Sequence, residues 1–465
     1  MNEAHTLVLK EAADLHRFLQ PIAKLCAVSE TDHPYYRKSS YEFFSHLDKL
    51  IGMTLKYLED LPQKPSKYPQ IQRSVRQKLQ VLRSSWGKLH RYIKPSLDAD
   101  ALHIPLSLLD AFQDLLQQVP RCGEFEFAVF QLTEVNYAML TYEEVNRIAN
   151  RIAGMVKGKE FPPALSLVGI PYSQSSGLFL NCLIPHEMAH FVYQERVGPE
   201  IKLKVDEILN VYHPAKTGTP EEKLELSQIR GLINTWVEEV FCDLFAISLI
   251  GPAFTFAFAE MTSAALIGEE GQRNATKAFD FSLSHPADVA RFYLHKRHLK
   301  ALGWWEPIER WKCSPVRLLR YCERVHKQTA LSPEINQGTS VRLNLQCFWE
   351  ACEWLLKFVK EEVPSPATEI KDFFDQYRVI SNYLKRAIVP STIVTDSGVV
   401  HPSPAVLINS GYRFVLEELH KLLRNIEKRS ENSVADRSWY TERLELWVLK
   451  ALEDWRLLNK SKEAK

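Results

Sequence analysis

The stretch NCLIPHEMAHFVYQER, from Asn181 to Arg196, carries His186, Glu187 and His190 in the order His-Glu-x-x-His. On an α-helix, residues four apart project from one face, about 40° apart around the axis. Two imidazoles placed so can bind one Zn²⁺ through ring nitrogens at about 2.0–2.1 Å. Glu187 then lies on the flank, within reach of a zinc-bound water without being a ligand. That is what a metal-assisted hydrolase needs: a cation that acidifies water and polarises a carbonyl, and a base that carries the proton to the leaving amine. The plain alternative is a helix that happens to carry two histidines. Pro185 stands either in the first turn of that helix or at a kink in a longer one.

A hydrolytic zinc site needs a third protein ligand. Downstream, TWVEEVFCDLFAISLIGP places Glu239 and Asp243 four apart on a helix whose other positions (Trp236, Val237, Val240, Phe241, Leu244, Phe245) are strongly apolar. Two carboxylates on such a helix are costly to bury unless paired or metal-bound. One can bind zinc while the other orients a ligand histidine through a hydrogen bond. The bland reading makes Glu238, Glu239 and Asp243 a solvated stripe.

His-Glu-x-x-His followed by Glu-x-x-x-Asp resembles the gluzincin type of zinc metallopeptidase. The string from Glu239 through Asp243, Phe245, Ala246, Leu249, Ile250 and Pro252 is similar to the ExxxDxFAxxLLxP segment of the ImmA/IrrE-type peptidases, with Cys242 where that segment usually has alanine. SHPADVARFYL resembles the HP…R segment of some membrane-associated gluzincins. The resemblance covers roughly residues 124–305. It implies His186, His190 and Glu239 as zinc ligands, Glu187 as base and Asp243 as the partner of a ligand histidine.

A peptidase also needs a donor for the oxyanion. His285, in LSHPADVAR, is the candidate for that catalytic role; otherwise it is a helix-start residue before Pro286. Arg291 is a candidate for the substrate cleft. So is Tyr172, at the end of a strand whose edge can receive an extended peptide. His213, His295, His298, His326 and His401 lack partners at ligand spacing and read as exposed or hydrogen-bonded structural residues. No P-loop, GxGxxG or GxSxG motif occurs.

The elements that must position these residues read as follows. The first 120 residues are helices punctuated by proline. Leu7, Leu15, Phe18 and Leu19 mark one apolar face, which Pro21 kinks or ends; Phe44, Leu47, Ile51, Leu55 and Leu58 mark a second. Ile71, Val75, Leu79, Leu82, Trp86, Leu89 and Ile93 mark a third, and IPLSLLDAFQDLLQQVP is a fourth helix. EFEFAVFQLT and ALSLVGIPYS read as strands, with the capped helix TYEEVNRIANRIAGMV between them. A long apolar helix runs from about Leu226 to Ile250 and ends at Gly251-Pro252. From about Trp311 the chain is helical again.

The chain has 465 residues, 45% of them hydrophobic and 25% charged, with a formal net charge of +1. That length predicts two or three domains. The charge balance gives no reason to expect nucleic acid as a partner. The N-terminus lacks the basic start and apolar core of a secretion signal, and no window spans a bilayer. The 8 cysteines form no C-x-x-C pair, which suits a reducing, cytoplasmic setting.

The expected architecture is therefore α+β and predominantly helical. A zincin-like catalytic core with a small sheet (121–305) lies between a helical bundle (1–120) and a C-terminal helical region (306–465). The expected function is zinc-dependent hydrolysis of protein or peptide substrates, with Zn²⁺ as cofactor. The alternative is a catalytically silent, metallopeptidase-like interaction or regulatory protein, or a fold with no metal at all.

Overall fold

The computed structural model describes residues 3–26, 38–61, 69–97, 106–120, 122, 127–132, 138–140, 142–156, 166–171, 177–212, 220–265, 285–311, 313–329, 345–363, 370–429 and 437–463. The chain opens with α1 (Glu3–Cys26), α2 (Lys38–Glu59), α3 (Pro69–Leu97) and α4 (Leu106–Gln117). Next come β1 (Phe127–Leu132), β2 (Ala138–Leu140), α5 (Tyr142–Met155) and β3 (Ser166–Pro171). A 3₁₀ turn (Leu180–Leu183) leads into α6 (Ile184–Val192), a π-helical turn (Tyr193–Val197) and α7 (Gly198–Tyr212). The long α8 (Pro220–Ile250) and α9 (Pro252–Ala265) follow, then α10 (Asp288–Ala301), α11 (Trp305–Ile308), α12 (Ser314–Thr329), α13 (Leu345–Glu362) and α14 (Ile370–Lys385). A hairpin of β4 (Ile393–Thr395) and β5 (Gly398–Val400) precedes α15 (Pro404–Arg413), a second π-helical turn (Phe414–Glu418), α16 (Leu419–Arg429) and α17 (Arg437–Glu463). The protein is thus predominantly helical with little sheet, as its periodicity indicates.

Two compact units result. The first comprises 1–104 and 125–175, the second 105–124 and 176–465. These limits differ from the three consecutive segments read from the sequence, for two reasons visible in the packing. The strands of residues 127–171 fold with the N-terminal helices, because β1 packs on α3 and α5 packs on α2 and α3. In exchange, α4 joins the second unit, where it packs on α17 and Asp110 pairs with Arg456.

In the first unit, Leu15 and Leu19 of α1, Leu47 and Ile51 of α2, Leu79, Leu82, Trp86 and Leu89 of α3, and Ala149 and Ile152 of α5 form one core. These are the faces set by the spacings of three and four. Leu7 and Ile71, at the ends of their stripes, are exposed. Pro21 lies inside α1, which continues to Cys26. The sheet has the order β1-β3-β2, with β1 and β3 parallel and β2 antiparallel to β3. A parallel pair requires a crossover, and α5 supplies it.

In the second unit, α8 is the central rod. Every residue from Val240 to Ile250 is buried. A helix apolar all round must be enclosed, and α6, α7, α9, α10, α13 and α15 pack against it. Gly251 ends it with φ +69°, a left-handed conformation that disfavours any Cβ. Asn409 of α15 secures the break: its Oδ1 accepts the N–H of Ala253 and its Nδ2 donates to the carbonyl of Ile250. The cysteines from Cys122 to Cys352 are buried and free. No helix among the described residues is long and apolar enough to cross a membrane.

Candidate metal centre

The site arises where α6 lies on α8. Pro185 stands in the first turn of α6, where a missing N–H costs nothing. One face of α6 then presents His186 and His190, with ring centroids 4.9 Å apart. Glu239, near the middle of α8, faces both. His186, His190 and Glu239 each offer one ligand atom, and these atoms all lie within 4.8 Å of one another. His186 and Glu239 are buried and His190 is partly so.

Nε2 of His186 is 3.5 Å from Oε2 of Glu239, and Nε2 of His190 is 3.6 Å from Oε1. Both are too long for hydrogen bonds. They run to different oxygens of the one carboxylate, and each is close to the ligand–ligand separation of about 3.4 Å expected around zinc for bonds of about 2.1 Å. Oε2 of Glu239 is buried without a hydrogen-bond partner among the described residues, although Nε2 of His285 and Nη1 of Arg291 also approach it, at 3.6 and 3.7 Å. A buried, unsatisfied carboxylate oxygen is expensive, and a cation held with the two Nε2 atoms satisfies it. The residues present fit a metal ion.

The other nitrogen of each ring faces a carboxylate. Nδ1 of His190 is hydrogen-bonded to Oε1 of Glu238 at 3.0 Å. Nδ1 of His186 lies 2.9 Å from Oδ1 of Asp243. That approach is close but poorly aligned, since the same nitrogen lacks a hydrogen bond by angle; it is an ion-pair contact. With Nδ1 turned to a carboxylate, each ring keeps the Nε2 lone pair for a metal. The structure therefore brings Asp243 to His186, and adds Glu238, which adjacency to Glu239 alone did not single out.

Asp243 is fixed in turn. It is 1% exposed and accepts Nε and Nη2 of Arg291 at 2.7 and 2.6 Å, and its Oδ2 lies 2.9 Å from Nε2 of His295. Arg291 and His295 are four apart on α10 and share a face. Phe258 of α9 covers the Arg291 guanidinium at 4.4 Å, and Phe254 stacks on His186 at 6.0 Å. Arg291 thus serves as a buried counter-ion, not as a lining of an open cleft: its side chain is 7% exposed. His295 is buried rather than exposed, and His298 is buried against the Ser248 hydroxyl.

Charge follows from this geometry. Burial raises the Asp243 carboxyl, but Arg291 and His295 overcome it and hold the group well below the usual range. Burial also raises Glu239, and His186 and Arg291 pull it down to about 2. Burial would lower His186; its contacts with Asp243 and Glu239 instead push it up to about 10. The cluster is therefore an ionised network in which His186 carries its proton between two carboxylates, and a metal ion bound at Nε2 would displace that proton.

Glu187 is half-buried on α6, one residue after His186. His285 stands just before α10 with its side chain 53% exposed, the most open group beside Glu239. Tyr172 lies outside the described residues, as does His213. Arg291 and His295 repeat at helix spacing, a signal that points to α10 once Asp243 is known to be buried. Nothing in the sequence marks the π-helical turn that follows His190. There the N–H of Gly198 reaches back to the carbonyl of Tyr193. A Cβ at Gly198 would lie 2.5 Å from that oxygen and 3.2 Å from the Tyr193 ring. Such insertions recur at functional sites. No protein-family model, curated protein or solved structure matches the chain.

Proposed function

We propose that this protein is a zinc-dependent metallopeptidase with a zincin-like centre in its second compact unit. The observation that carries the reading is the grouping of His186, His190 and Glu239, one ligand atom from each within 4.8 Å of the others, with a carboxylate behind each ring. A structural metal site needs the three ligands. It does not need Glu187, partly exposed on the flank of the same face.

His186, His190 and Glu239 would hold the ion. Bound there, zinc supplies a Lewis acid and an acidified water. Glu187 takes the proton of the attacking water and returns it to the departing amine. His285, beside Glu239 and open to solvent, donates to the oxygen on which charge develops. Asp243 and Glu238 keep the two imidazoles in the tautomer that leaves Nε2 free. Arg291 balances Asp243, so that this buried carboxylate stays ionised beside His186 instead of being protonated.

Two measurements test this. Elemental analysis of protein purified without added metal should give about one zinc per chain, lost in Glu239→Ala. Glu187→Gln should keep the metal and lose hydrolysis of an unfolded protein substrate. A chain that takes up no zinc even when it is offered refutes the reading. Equal turnover in wild type and Glu187→Gln would refute the role of Glu187, and a chain that binds zinc but hydrolyses nothing supports the catalytically silent alternative.

A further inference from the structure

The second unit holds a cavity that none of the metal-centre residues lines. Its volume is about 270 Å³, and Leu384, Phe414, Leu419, Leu444 and Trp447 form its apolar walls. An enclosed apolar cavity of roughly 150 Å³ accommodates benzene, so this pocket, open at one side, has room for a ring with a short chain. Leu384, Phe414, Leu419 and Leu444 are buried, whereas Lys385, Arg386 and Ala387, which also line it, are exposed and form its mouth.

Charge at the mouth is unbalanced. Glu418 is shared between Lys385 at 3.2 Å and Lys421 at 3.1 Å. Arg386 has no ion-pair partner among the described residues. One carboxylate thus serves two ammonium groups, and a guanidinium beside them is unpaired. The backbone at the mouth is strained as well. At the end of α14 the N–H of Ile388 bonds the carbonyl of Tyr383 and that of Ala387 bonds Leu384. That pattern is a Schellman cap, whose left-handed position normally takes glycine. Here it is occupied by Ala387 at φ 57°. Ala387 is part of the lining, and strained non-glycine residues gather at binding sites.

We propose that this cavity binds a small aromatic carboxylate, one ring on a short chain that ends in an acid. The ring enters between Phe414 and Trp447, and the carboxylate remains at the mouth against Arg386 and Lys385. The site is independent of the metal centre and of any hydrolytic activity.

The test is calorimetric titration of the full chain with 3-phenylpropionate and, as the uncharged counterpart, 3-phenylpropanol. The acid should bind at one site with Kd below about 1 mM, about ten-fold tighter than the alcohol. Arg386→Gln, at an exposed position, should remove most of that difference and leave the alcohol unchanged. Leu422→Trp, at a half-buried position in the lining, should abolish binding of both. No saturable binding of the acid, equal affinity for acid and alcohol, or undiminished binding by a folded Leu422→Trp protein would each overturn the proposal.

Discussion

Removing the Asp243 carboxylate separates what holds the fold from what prepares a metal ligand. In Asp243→Ala, the Arg291 guanidinium loses both of its short hydrogen bonds, 2.7 and 2.6 Å, while its side chain stays 7% exposed. Glu239 Oε2, at 3.7 Å from Nη1, is too distant to replace them. Breaking a buried pair by removing one partner costs about 3–5 kcal/mol, a large part of the roughly 5–15 kcal/mol available to a folded protein. In the double variant Asp243→Ala/Arg291→Met no charge is left orphaned, and replacement of a buried pair by apolar groups is close to neutral. It should therefore regain at least about 2 kcal/mol. Metal affinity should not return with it, because both variants lack the carboxylate 2.9 Å from His186 Nδ1. Loss of such a partner weakens binding about 10–100-fold. Urea unfolding in the presence of chelator reads the first quantity, and competition against a chromogenic chelator reads the second. A double variant no more stable than Asp243→Ala would refute the orphan-charge reasoning. Wild-type metal affinity in both would refute the orienting role of Asp243.

The remaining expectations concern the rest of the frame. Glu238→Ala should weaken metal binding about ten-fold through His190, with less than about 1 kcal/mol lost in stability because that side chain is 22% exposed; unchanged affinity would leave Glu238 without a role. Gly198→Ala forces the π-helical turn open, since the new methyl would lie 2.5 Å from the Tyr193 carbonyl, and should cost about 1–3 kcal/mol by urea unfolding; a neutral result would mean that the turn is not needed. Glu445 accepts the N–H of Leu178 at 2.8 Å, and burial together with Glu442 pushes its carboxyl up to about 7 against the pull of that N–H. The folded value lies above the unfolded one, so its stabilising contribution is full below about pH 4 and is lost as pH rises through 7. Glu445→Gln should thus gain up to about 3 kcal/mol over wild type at pH 8 and almost nothing at pH 4; a difference independent of pH would contradict it.

How far the sequence discloses the fold depends on the range over which each feature is determined. Helix faces are local. Leu79, Leu82, Trp86 and Leu89 follow one another at spacings of three and four, and all are buried. The strands β1 and β3 are local too, through their aromatic and β-branched runs. Their partners are not. The short β2 has three residues and no pattern of its own, yet it pairs with β3. Chain order suggests that the strands before His186 belong with it. Packing instead assigns them to the unit of α1, α2, α3 and α5, while α4 crosses to the other unit through Asp110 and Arg456. Pro21 shows the opposite limit: a strong local breaker lies within a helix whose apolar face continues past it to Ile22.

The site divides along the same line. The motif spacing identifies His186, His190, Glu239 and Asp243, because each pair is four apart on one helix and the helix geometry does the rest. What spacing leaves open is which carboxylate serves which histidine. Glu238, Glu239 and Asp243 are all acidic and close in sequence, and a solvated stripe would look the same. Burial decides between them. Asp243 is enclosed, and an enclosed carboxylate needs a counter-ion; Arg230 of α8 lies more than three turns away and pairs with Asp206 instead. That requirement points outward to another helix, and α10 answers it with Arg291 and His295 at i and i+4. A buried acid on an apolar helix is thus a demand for a basic partner elsewhere in the chain. The two-residue pattern Arg-x-x-x-His on α10 gains significance only once that demand is recognised. The candidate metal-binding face and its ionic backing come from three separate segments, and only the packing of α6 and α10 against α8 makes them one site.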